Sequence, residues 1–367
     1  MTSKYLMMGE NPRRCPEVPC HLTPPLRETW TVPYDGAAIP PLIEGGLVFL
    51  RRSDDTLAAI AENDRRVVWE YDHRGALKLL HDGQLYFAGY DEHLHIIDSR
   101  TGAARALLPI NVIGHAAVIR GLFVCTVGFS GLFAADPSSG KELWRYNVPE
   151  GSMFSSIFCA TDDRIIVGQD ERVLALSSET GRILWEHSVA DLPLRMPGEE
   201  DRPGATGGMG RIHGSIVIVT AAKDFVLGLS VENGERLWTW TSDLSRAVSA
   251  GAGYLYGARY YQTGANGSYH IIDANTGVTV FETLLKQGLP KKQHTAWGWS
   301  PILISETHVF VGSRDGHILA FARNSGEYVW SILPKRSSSV TDFSSVNERL
   351  YCGDLGGRLR CLAPMGR

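Results

Sequence analysis

The sequence lacks long hydrophobic runs, an excess of basic residues and an export signal. No stretch of the 367 residues approaches the roughly 18 consecutive apolar residues of a membrane-spanning helix. The net charge of −4 argues against nucleic acid or an anionic membrane as the main partner, because both need a concentrated basic surface. Near the start, most charges follow a short apolar patch, whereas a secretory signal carries them in front. We therefore expect a cytoplasmic protein that binds neither nucleic acid nor membrane.

Cysteine is scarce too, and its six positions show no metal-binding arrangement. Cys15 and Cys20 stand in a Pro-rich segment without a neighbouring histidine or second cysteine pair, so we expect no metal site. Strand-like runs hold the other four, where buried thiols pack as small apolar side chains and suit a reducing compartment. Cys352 and Cys361 flank a Gly-rich turn, so a disulfide between them is the alternative. The four residues are Cys125, Cys159, Cys352 and Cys361.

Familiar catalytic motifs are also missing. The sequence contains no Gly-x-Ser-x-Gly, no His-Glu-x-x-His and no P-loop. The Gly-rich stretch GATGGMG (204–210) lies between strand-like segments with no helix after it, so it is not a dinucleotide loop. Any catalysis would therefore be acid–base work by side chains such as His, Asp, Tyr or Arg, without metal or redox cofactor.

What the sequence does contain is a repeat. A polar turn ending in glycine recurs six times, and an apolar residue follows four positions after each glycine. Alternating apolar residues precede every copy, which is typical of strands. SSETGRILWEHSV (177–189) and SSGKELWRYNV (138–148) show the pattern most clearly. The glycines are Gly102, Gly140, Gly181, Gly234, Gly277 and Gly326, and the apolar residues are Ala106, Trp144, Trp185, Trp238, Phe281 and Trp330.

Each repeat predicts four short antiparallel strands in about 40 residues, which is one propeller blade. A degenerate first copy keeps Trp69 but has Arg65 in place of the glycine. The last copy stops after three strands, and LRETWTVPYD supplies the fourth with Trp30 in the tryptophan position. We predict an all-β, eight-bladed propeller in a single domain (27–367) after an irregular Pro-rich leader (1–26). Pairing of 27–33 with the C-terminal blade (337–367) closes the ring and removes two free strand edges.

The unit A-x-D-x-x-T/S-G-x-x-x-W resembles the pyrroloquinoline-quinone-like (PQQ-like) propeller repeat over residues 27–365. Its best copies are LFAADPSSGKELW, VLALSSETGRILW and HIIDANTGVTVF. The resemblance implies that each tryptophan packs against the glycine turn of a neighbouring blade. Quinoprotein dehydrogenases of this family hold the quinone through adjacent cysteines, which this sequence lacks, so we expect no quinone cofactor. Its outer-membrane assembly lipoproteins are scaffolds and carry a lipobox signal, which is not seen here.

Three longer segments stand out on the expected ligand-binding face of the propeller. They are 190–211, a hairpin at 257–270 that we expect to be expanded, and 284–300. Long loops in a compact domain are more often functional than idle, so these three are expected to wall one side of the channel mouth. Neutral variation on a permissive surface is the alternative.

Within this face, HTAWGWS places one histidine and two tryptophans near the propeller axis, as a ligand floor or as packing residues. Loops of other blades add polar side chains. Acids that recur in the second hairpin, Asp55, Asp91, Asp170, Asp224, Asp315 and Asp354, are interpreted as turn residues. The candidate catalytic residues are His294, His115 and Asp342, and the candidate substrate-binding residues are Trp297, Trp299, His73, Arg74, Arg246, Tyr260 and Phe154.

Two functions are compatible with these features. The first is a small-molecule or peptide site at the channel mouth, with acid–base residues as its only candidate catalysts. The alternative is a non-enzymatic protein-interaction scaffold that resembles the outer-membrane-assembly propellers. The three longer segments favour the first function, while the regular blades and missing catalytic motifs favour the second.

Overall fold

A computed structural model of the chain describes residues 21–33, 42–127, 130–194, 202–203, 206–222, 224–244, 253–264, 266–285 and 302–365. These residues form eight four-stranded antiparallel sheets and one two-stranded sheet. The all-β, eight-bladed propeller predicted from the repeat is therefore confirmed. Among the described residues there is no helix long and apolar enough to cross a membrane.

Blades 1 to 4 follow one another along the chain, and each pairs its four strands in sequence order. Their strands are β2 (Leu42–Glu44), β3 (Leu47–Arg51), β4 (Leu57–Ala61) and β5 (Val67–Tyr71); β6 (Gly75–His81), β7 (Gln84–Gly89), β8 (Leu94–Asp98) and β9 (Ala104–Leu108); β10 (Ala116–Ile119), β11 (Leu122–Val127), β12 (Gly131–Ala135) and β13 (Glu142–Asn147); and β14 (Phe154–Ala160), β15 (Arg164–Gln169), β16 (Arg172–Ser177) and β17 (Ile183–Ser188).

A two-stranded sheet of β18 (Pro193–Leu194) and β19 (Arg202–Pro203) precedes blade 5. Blades 5 to 7 then repeat the same order. Blade 8 joins three C-terminal strands to β1 (Leu26–Pro33). The remaining strands are β20 (Thr206–His213), β21 (Ile216–Ala221), β22 (Phe225–Ser230) and β23 (Arg236–Trp240); β24 (Tyr254–Tyr256), β25 (Arg259–Thr263), β26 (Ser268–Asp273) and β27 (Thr279–Leu284); β28 (Ile302–Ile304), β29 (His308–Gly312), β30 (Ile318–Ala322) and β31 (Tyr328–Ile332); and β32 (Val340–Val346), β33 (Arg349–Asp354) and β34 (Arg358–Pro364).

The ring closes as the sequence predicts. Strand β1 pairs antiparallel with β34 from Leu26 opposite Pro364 to Pro33 opposite Arg358. Within β1 the buried Trp30 joins a cluster of side chains from blades 8 and 1. Because β1 supplies the fourth strand of blade 8, β34 is not left as an unpaired edge strand where the ring closes.

The repeat tryptophans lock one blade to the next. Trp69 of blade 1 covers Gly102 of blade 2, and a Cβ placed there would lie 2.6 Å from the indole Cδ2. The Trp69 indole N–H also donates to the Ser99 carbonyl at 3.1 Å. Gly102 has φ +72°, a conformation that glycine adopts without steric cost. The same packing recurs for the pairs Trp144–Gly181, Trp185–Gly234 and Trp238–Gly277.

Degenerate copies of the repeat keep the backbone geometry. Arg65, which replaces the glycine in blade 1, adopts φ +63° in spite of its side chain. Blade 2 has Ala106 in place of tryptophan, and Leu108 instead packs on Gly140, 3.1 Å from the position of its missing Cβ. The turn conformation is therefore retained where the glycine or the tryptophan is lost.

All four described cysteines are buried free thiols. The structure answers the open question about Cys352 and Cys361, because they lie in neighbouring strands but on opposite faces of blade 8. Cys352 packs toward blade 7, whereas Cys361 packs toward blade 1. Burial raises the pKa of both thiols. The alternative of a disulfide between them is not what the structure shows.

Candidate functional site

Because the strands of each blade are antiparallel, their connections emerge alternately on two faces of the ring. Turns between second and third strands emerge on the same face as the links from each fourth strand to the next blade. We call this the loop face, and the face that carries the repeat glycines the turn face. First strands of neighbouring blades contact one another, as β6 does with β10 and β14 with β20, so the loop-face links lead directly into the innermost strands.

A chain of hydrogen bonds joins blades 1 and 2 at the loop face. Tyr71, at the end of β5, has its hydroxyl 2.7 Å from Nδ1 of His95 in β8. Nε2 of His95 lies 3.0 Å from Oδ1 of Asp91. A carboxylate only accepts, so in the neutral imidazole Nε2 donates to Asp91 and Nδ1 accepts from Tyr71. The side chain of His95 is 1% exposed, so both of its nitrogens are engaged inside the protein.

Close packing fixes this chain. The ring of His73 stacks on Tyr71 at a centroid distance of 4.7 Å and lies 5.0 Å from the ring of His95. A Cβ on Gly89 would lie 2.5 Å from Nε2 of His95, so glycine is needed for the approach. Burial, reinforced by the charge of Asp91, raises the pKa of Tyr71. The phenol therefore acts as a hydrogen-bond donor and not as a base.

Two arginines and one carboxylate form the second half of this site. Asp55 accepts hydrogen bonds from Arg51 and, at 2.9 Å, from Arg74. Burial opposes ionisation of Asp55, but the two guanidinium groups outweigh it and hold its pKa below the usual value. Arg51 also donates to the Tyr90 hydroxyl at 2.6 Å, and Arg74 lies 5.7 Å from the Tyr90 ring centroid.

We call this set the blade 1–2 cluster. Its two guanidinium groups face two carboxylates, so its fixed charges balance. Burial raises the pKa of Asp91, whereas the hydrogen bonds from His95 and from the His93 N–H lower it. The net effect is a decrease. The members are Arg51, Asp55, Tyr71, His73, Arg74, Tyr90, Asp91 and His95.

Exposed apolar side chains in the connections also concentrate on the loop face. Their exposed fractions lie between 54% and 66%, and they belong to blades 2 to 4, 7 and 8. On the turn face, Val278 and Met365 are the comparably exposed large apolar side chains among the described connections. Exposed apolar side chains that share one face offer a partner surface that binding could bury. The loop-face residues are Tyr90, Ile113, Met153, Leu333 and Leu355.

The structure brings together two of the site residues predicted from the sequence, His73 and Arg74, in the blade 1–2 cluster. His115 lies in the link from blade 2 to blade 3, and its backbone N–H donates to Thr126 Oγ1 at 2.9 Å. Asp342 has its backbone in β32, and its side chain lies outside the described residues.

Two further predicted residues are buried. Phe154 stacks on Tyr146 at 5.9 Å, and the Tyr260 hydroxyl donates to Gln262 Oε1 at 2.9 Å. Neither ring presents a surface to solvent in this structure, since their exposed fractions are 4% and 0%. The others, Arg246, His294, Trp297 and Trp299, lie outside the described residues and stay predictions.

The three longer segments have different outcomes. Segment 190–211 contains the small β18–β19 sheet between blades 4 and 5. Segment 257–270 is an ordinary blade hairpin, which corrects the interpretation as an expansion. Its connection, 264–267, is no longer than the one at 313–317, and the extra length of this repeat falls between β23 and β24. Segment 284–300 lies outside the described residues beyond residue 285.

Sequence reasoning missed the centre of the cluster. Asp91 was interpreted as a turn acid, and Tyr71 and His95 were not singled out. A signal for His95 is present in LHIID, where a polar residue occupies a position that is apolar in most other blades. Tyr71 gives a weaker signal, two residues after the repeat Trp69. Within the described part of the chain, no group of three His, Cys, Asp or Glu residues could hold a metal ion.

Comparisons with known proteins agree with the repeat. A family model described as outer membrane protein assembly factor BamB matches residues 25–112, 111–239 and 222–364. A protein of that name from Shewanella oneidensis is 20% identical over 62% of this chain and 57% of its own length. The dehydrogenase subunit of the quinone alcohol dehydrogenase from Gluconobacter oxydans is 26% identical over 64% of this chain and 33% of its own length. The chain thus spans less than two thirds of either relative.

Solved structures show the same fold at low identity. BamB from Moraxella catarrhalis superimposes with a TM-score of 0.70 and 16% identity, over 92% of this chain and 99% of that one. A europium-containing methanol dehydrogenase gives a TM-score of 0.71 with 11% identity, over 98% of both chains. Because one fold matches both kinds of protein, the fold does not choose between their functions.

Proposed function

This chain belongs to the family of the outer membrane protein assembly factor BamB, and on that premise we propose that it is a non-enzymatic scaffold that binds protein partners on its loop face. Relatives named for an assembly role support this function over the small-molecule site also predicted from the sequence. A rigid ring of eight blades suits a scaffold, because it holds many surface loops in fixed relative positions.

The observation that carries the proposal is the set of exposed apolar side chains on the loop face. Tyr90, Ile113, Met153, Leu333 and Leu355 project from connections, where only a partner could bury them. Aromatic residues and methionine are enriched in protein interfaces, and each well-buried anchor contributes about 1–2 kcal/mol to binding. The turn face offers a partner less apolar surface among its described connections.

The chemistry of the blade 1–2 cluster also favours a scaffold over an acid–base enzyme. His95 is 1% exposed and its nitrogens bond Asp91 and Tyr71, so its imidazole has no surface from which to reach a substrate. Asp55 is held between two arginines. This cluster therefore supports a fixed platform at the blade 1–2 junction, with Tyr90 and Arg74 on its surface.

A small polar ligand at the channel mouth is the second candidate, because the predicted ligand residues His73 and Arg74 lie side by side in the cluster. Native mass spectrometry of the purified protein tests it. A stoichiometric small molecule that is lost in Arg74→Ala would favour this candidate. A clean protein mass, with no metabolite that raises the melting temperature, would remove it.

The cytoplasmic location predicted from the sequence stays a prediction. Cell fractionation of the native organism tests it: recovery with the soluble cytoplasmic fraction would support it, and recovery with envelope membranes would contradict it.

Site-specific photo-crosslinking in living cells tests the scaffold. A photoreactive residue at Tyr90 or Met153 should give the same discrete protein adducts, because both lie on the loop face. The matched control positions are Val278 and Met365, which are also exposed but lie on the turn face. Adducts that are absent from the loop-face positions, or equally strong at the control positions, would contradict the proposal.

A further inference from the structure

Blades 7 and 8 carry a second surface on the loop face, which we call the blade 7–8 patch. Arg314 lies in the turn between β29 and β30, and Leu355 in the turn between β33 and β34. Leu333, Lys335 and Arg336 lie in the link between the two blades. All five residues are exposed, the two leucines by 54% and 66%. Three cations and two large aliphatic side chains thus share one region.

The three cations of this patch have no anionic partner among the described side chains. The acids in or next to the two turns, Asp315 and Asp354, are already engaged. Asp315 accepts a hydrogen bond from Ser313 and lies 3.1 Å from Nδ1 of His317. Asp354 is 1% exposed and bonds Arg360. The patch therefore differs from the blade 1–2 cluster, whose arginines share a carboxylate.

A buried network fixes the backbone that carries the cations. The guanidinium group of Arg360, 1% exposed, donates to the Lys335 carbonyl at 3.1 Å, to Asp354 at 3.0 Å and to Glu28 at 2.8 Å. Arg358 donates to the Arg336 carbonyl at 3.0 Å. Because the loop is held in one conformation, a partner would not have to order it on binding, which lowers the entropic cost of association.

We propose that the blade 7–8 patch binds an acidic segment of a protein partner in which carboxylates alternate with large apolar side chains. The inference rests on the proposed scaffold function and names the chemistry of one of its contacts. Carboxylates would pair with Lys335, Arg336 and Arg314, and apolar side chains would cover Leu333 and Leu355. An anionic membrane fits less well, since membrane-binding clusters typically have about 4–8 basic residues and this chain has a net charge of −4.

The test measures binding of a labelled peptide of Asp and Glu alternating with Leu and Phe to the full-length protein by fluorescence anisotropy. Charge reversal in K335E/R336E should weaken binding about tenfold and reduce its dependence on salt. Leu355→Ser should weaken it less. The control variant R100E/R182E reverses two exposed arginines on the turn face and should bind like the wild type. A peptide with Asn and Gln in place of the acids should bind weakly.

Equal binding of the acidic and amide peptides, or an equal loss in the control variant, would overturn the proposal. A preference for membrane would also overturn it. In that case the protein would bind vesicles of phosphatidylcholine with a minority of phosphatidylglycerol, K335E/R336E would abolish that binding, and the peptide would not bind. Crosslinking from Tyr90 and Met153 distinguishes failure of this inference from failure of the proposed scaffold function. Adducts that form there without any peptide binding leave the scaffold intact and remove only the acidic-segment inference.

Discussion

Blades 2 and 6 place a histidine at the same position of the repeat, in strands that read LHIID and YHIID, and surround it differently. Both side chains are buried, His95 by 99% and His270 completely. His95 of blade 2 has a hydrogen-bond partner on each ring nitrogen, Tyr71 from blade 1 and Asp91 from its own turn. Its burial is therefore compensated.

His270 of blade 6 is compensated less well. The Trp240 ring from blade 5 meets it edge-on at 4.8 Å, in the place where Tyr71 meets His95. Nδ1 lies 3.3 Å from Glu282 Oε2, and neither ring nitrogen makes a hydrogen bond among the described residues. Burial lowers the pKa of His270 to about 4, against the opposing effect of Glu282. The residue two positions after the repeat tryptophan thus supplies one of the two hydrogen-bond partners of His95 and none for His270.

Blade 8 extends the comparison, because Arg360 occupies the same position and faces blade 7. A full charge replaces the imidazole, and two carboxylates, Glu28 and Asp354, compensate it. Blades 2, 6 and 8 therefore fill the same buried position in three ways. Blade 2 has a hydrogen-bonded imidazole, blade 6 an imidazole without hydrogen bonds, and blade 8 a cation paired with carboxylates. The cost of removing each side chain should follow the number of partners left behind.

The largest effect is expected at Arg360. Arg360→Met should lower the free energy of unfolding by about 4 kcal/mol, because it leaves buried Asp354 and its neighbour Glu28 without a counterion. Urea unfolding at neutral pH measures this. Arg358→Met is the control and should cost less than about 1 kcal/mol, since among the described residues Arg358 bonds only the carbonyls of Arg336 and Gly356. Equal losses in the two variants would contradict the ranking.

The next largest effect is a pH dependence that belongs to His270. Its pKa is 6.5 in the unfolded chain and about 4 in the folded one, so the unfolded state binds more protons between these values. Stability contributed by this site therefore rises with pH, and acidification through that window costs up to about 3 kcal/mol.

Urea unfolding of the wild type and of His270→Leu across this pH range isolates the effect of the His270–Glu282 pair, because the titrating groups remote from it cancel in the difference. The free energy of unfolding of the variant, relative to that of the wild type, should increase as the pH falls from 6.5 toward 4. A difference that stays constant with pH would show that His270 does not titrate in this window.

A smaller loss is expected at His95. His95→Leu should lower the free energy of unfolding by about 2 kcal/mol, because the Tyr71 hydroxyl and Asp91 lose their shared partner. Both groups retain some access to water, which limits the loss. Tyr71→Phe, which removes one hydrogen bond of the two, should cost about 1 kcal/mol. Full stability in His95→Leu would mean that the hydrogen-bonded chain contributes nothing.

The sequence predicts the blades that carry these residues better than the contacts that the residues make. The glycine with positive φ is a local requirement of each turn, and the tryptophan recurs four residues later because successive blades pack in the same way, so the spacing reveals the blades directly. Ring closure follows from Trp30, which stands where the last copy lacks its fourth strand. Arg65 shows that the turn persists without glycine, at an expected steric cost of about 1 kcal/mol.

Contacts such as the Tyr71–His95 pair form between blades, so a local pattern such as LHIID marks an unusual residue but not its partner. The misread segment 257–270 has a similar cause. A spacing between glycines sums the hairpin and the link between blades, so it cannot say which of them is longer. In the structure the link from Trp240 to Tyr254 takes up the extra residues, and the hairpin is ordinary.

The smallest effect, and the sharpest test of the comparison, is expected for His270→Leu at neutral pH. Because neither nitrogen of His270 is hydrogen-bonded, replacing the imidazole with an apolar side chain of similar size leaves no donor or acceptor newly unpaired. Stability should change by less than about 1 kcal/mol, and a gain is allowed, since burying an unpaired polar group is itself unfavourable. The same substitution at His95 serves as the matched control. Equal losses at both positions would show that packing volume, and not hydrogen bonding, determines what this position of the repeat tolerates.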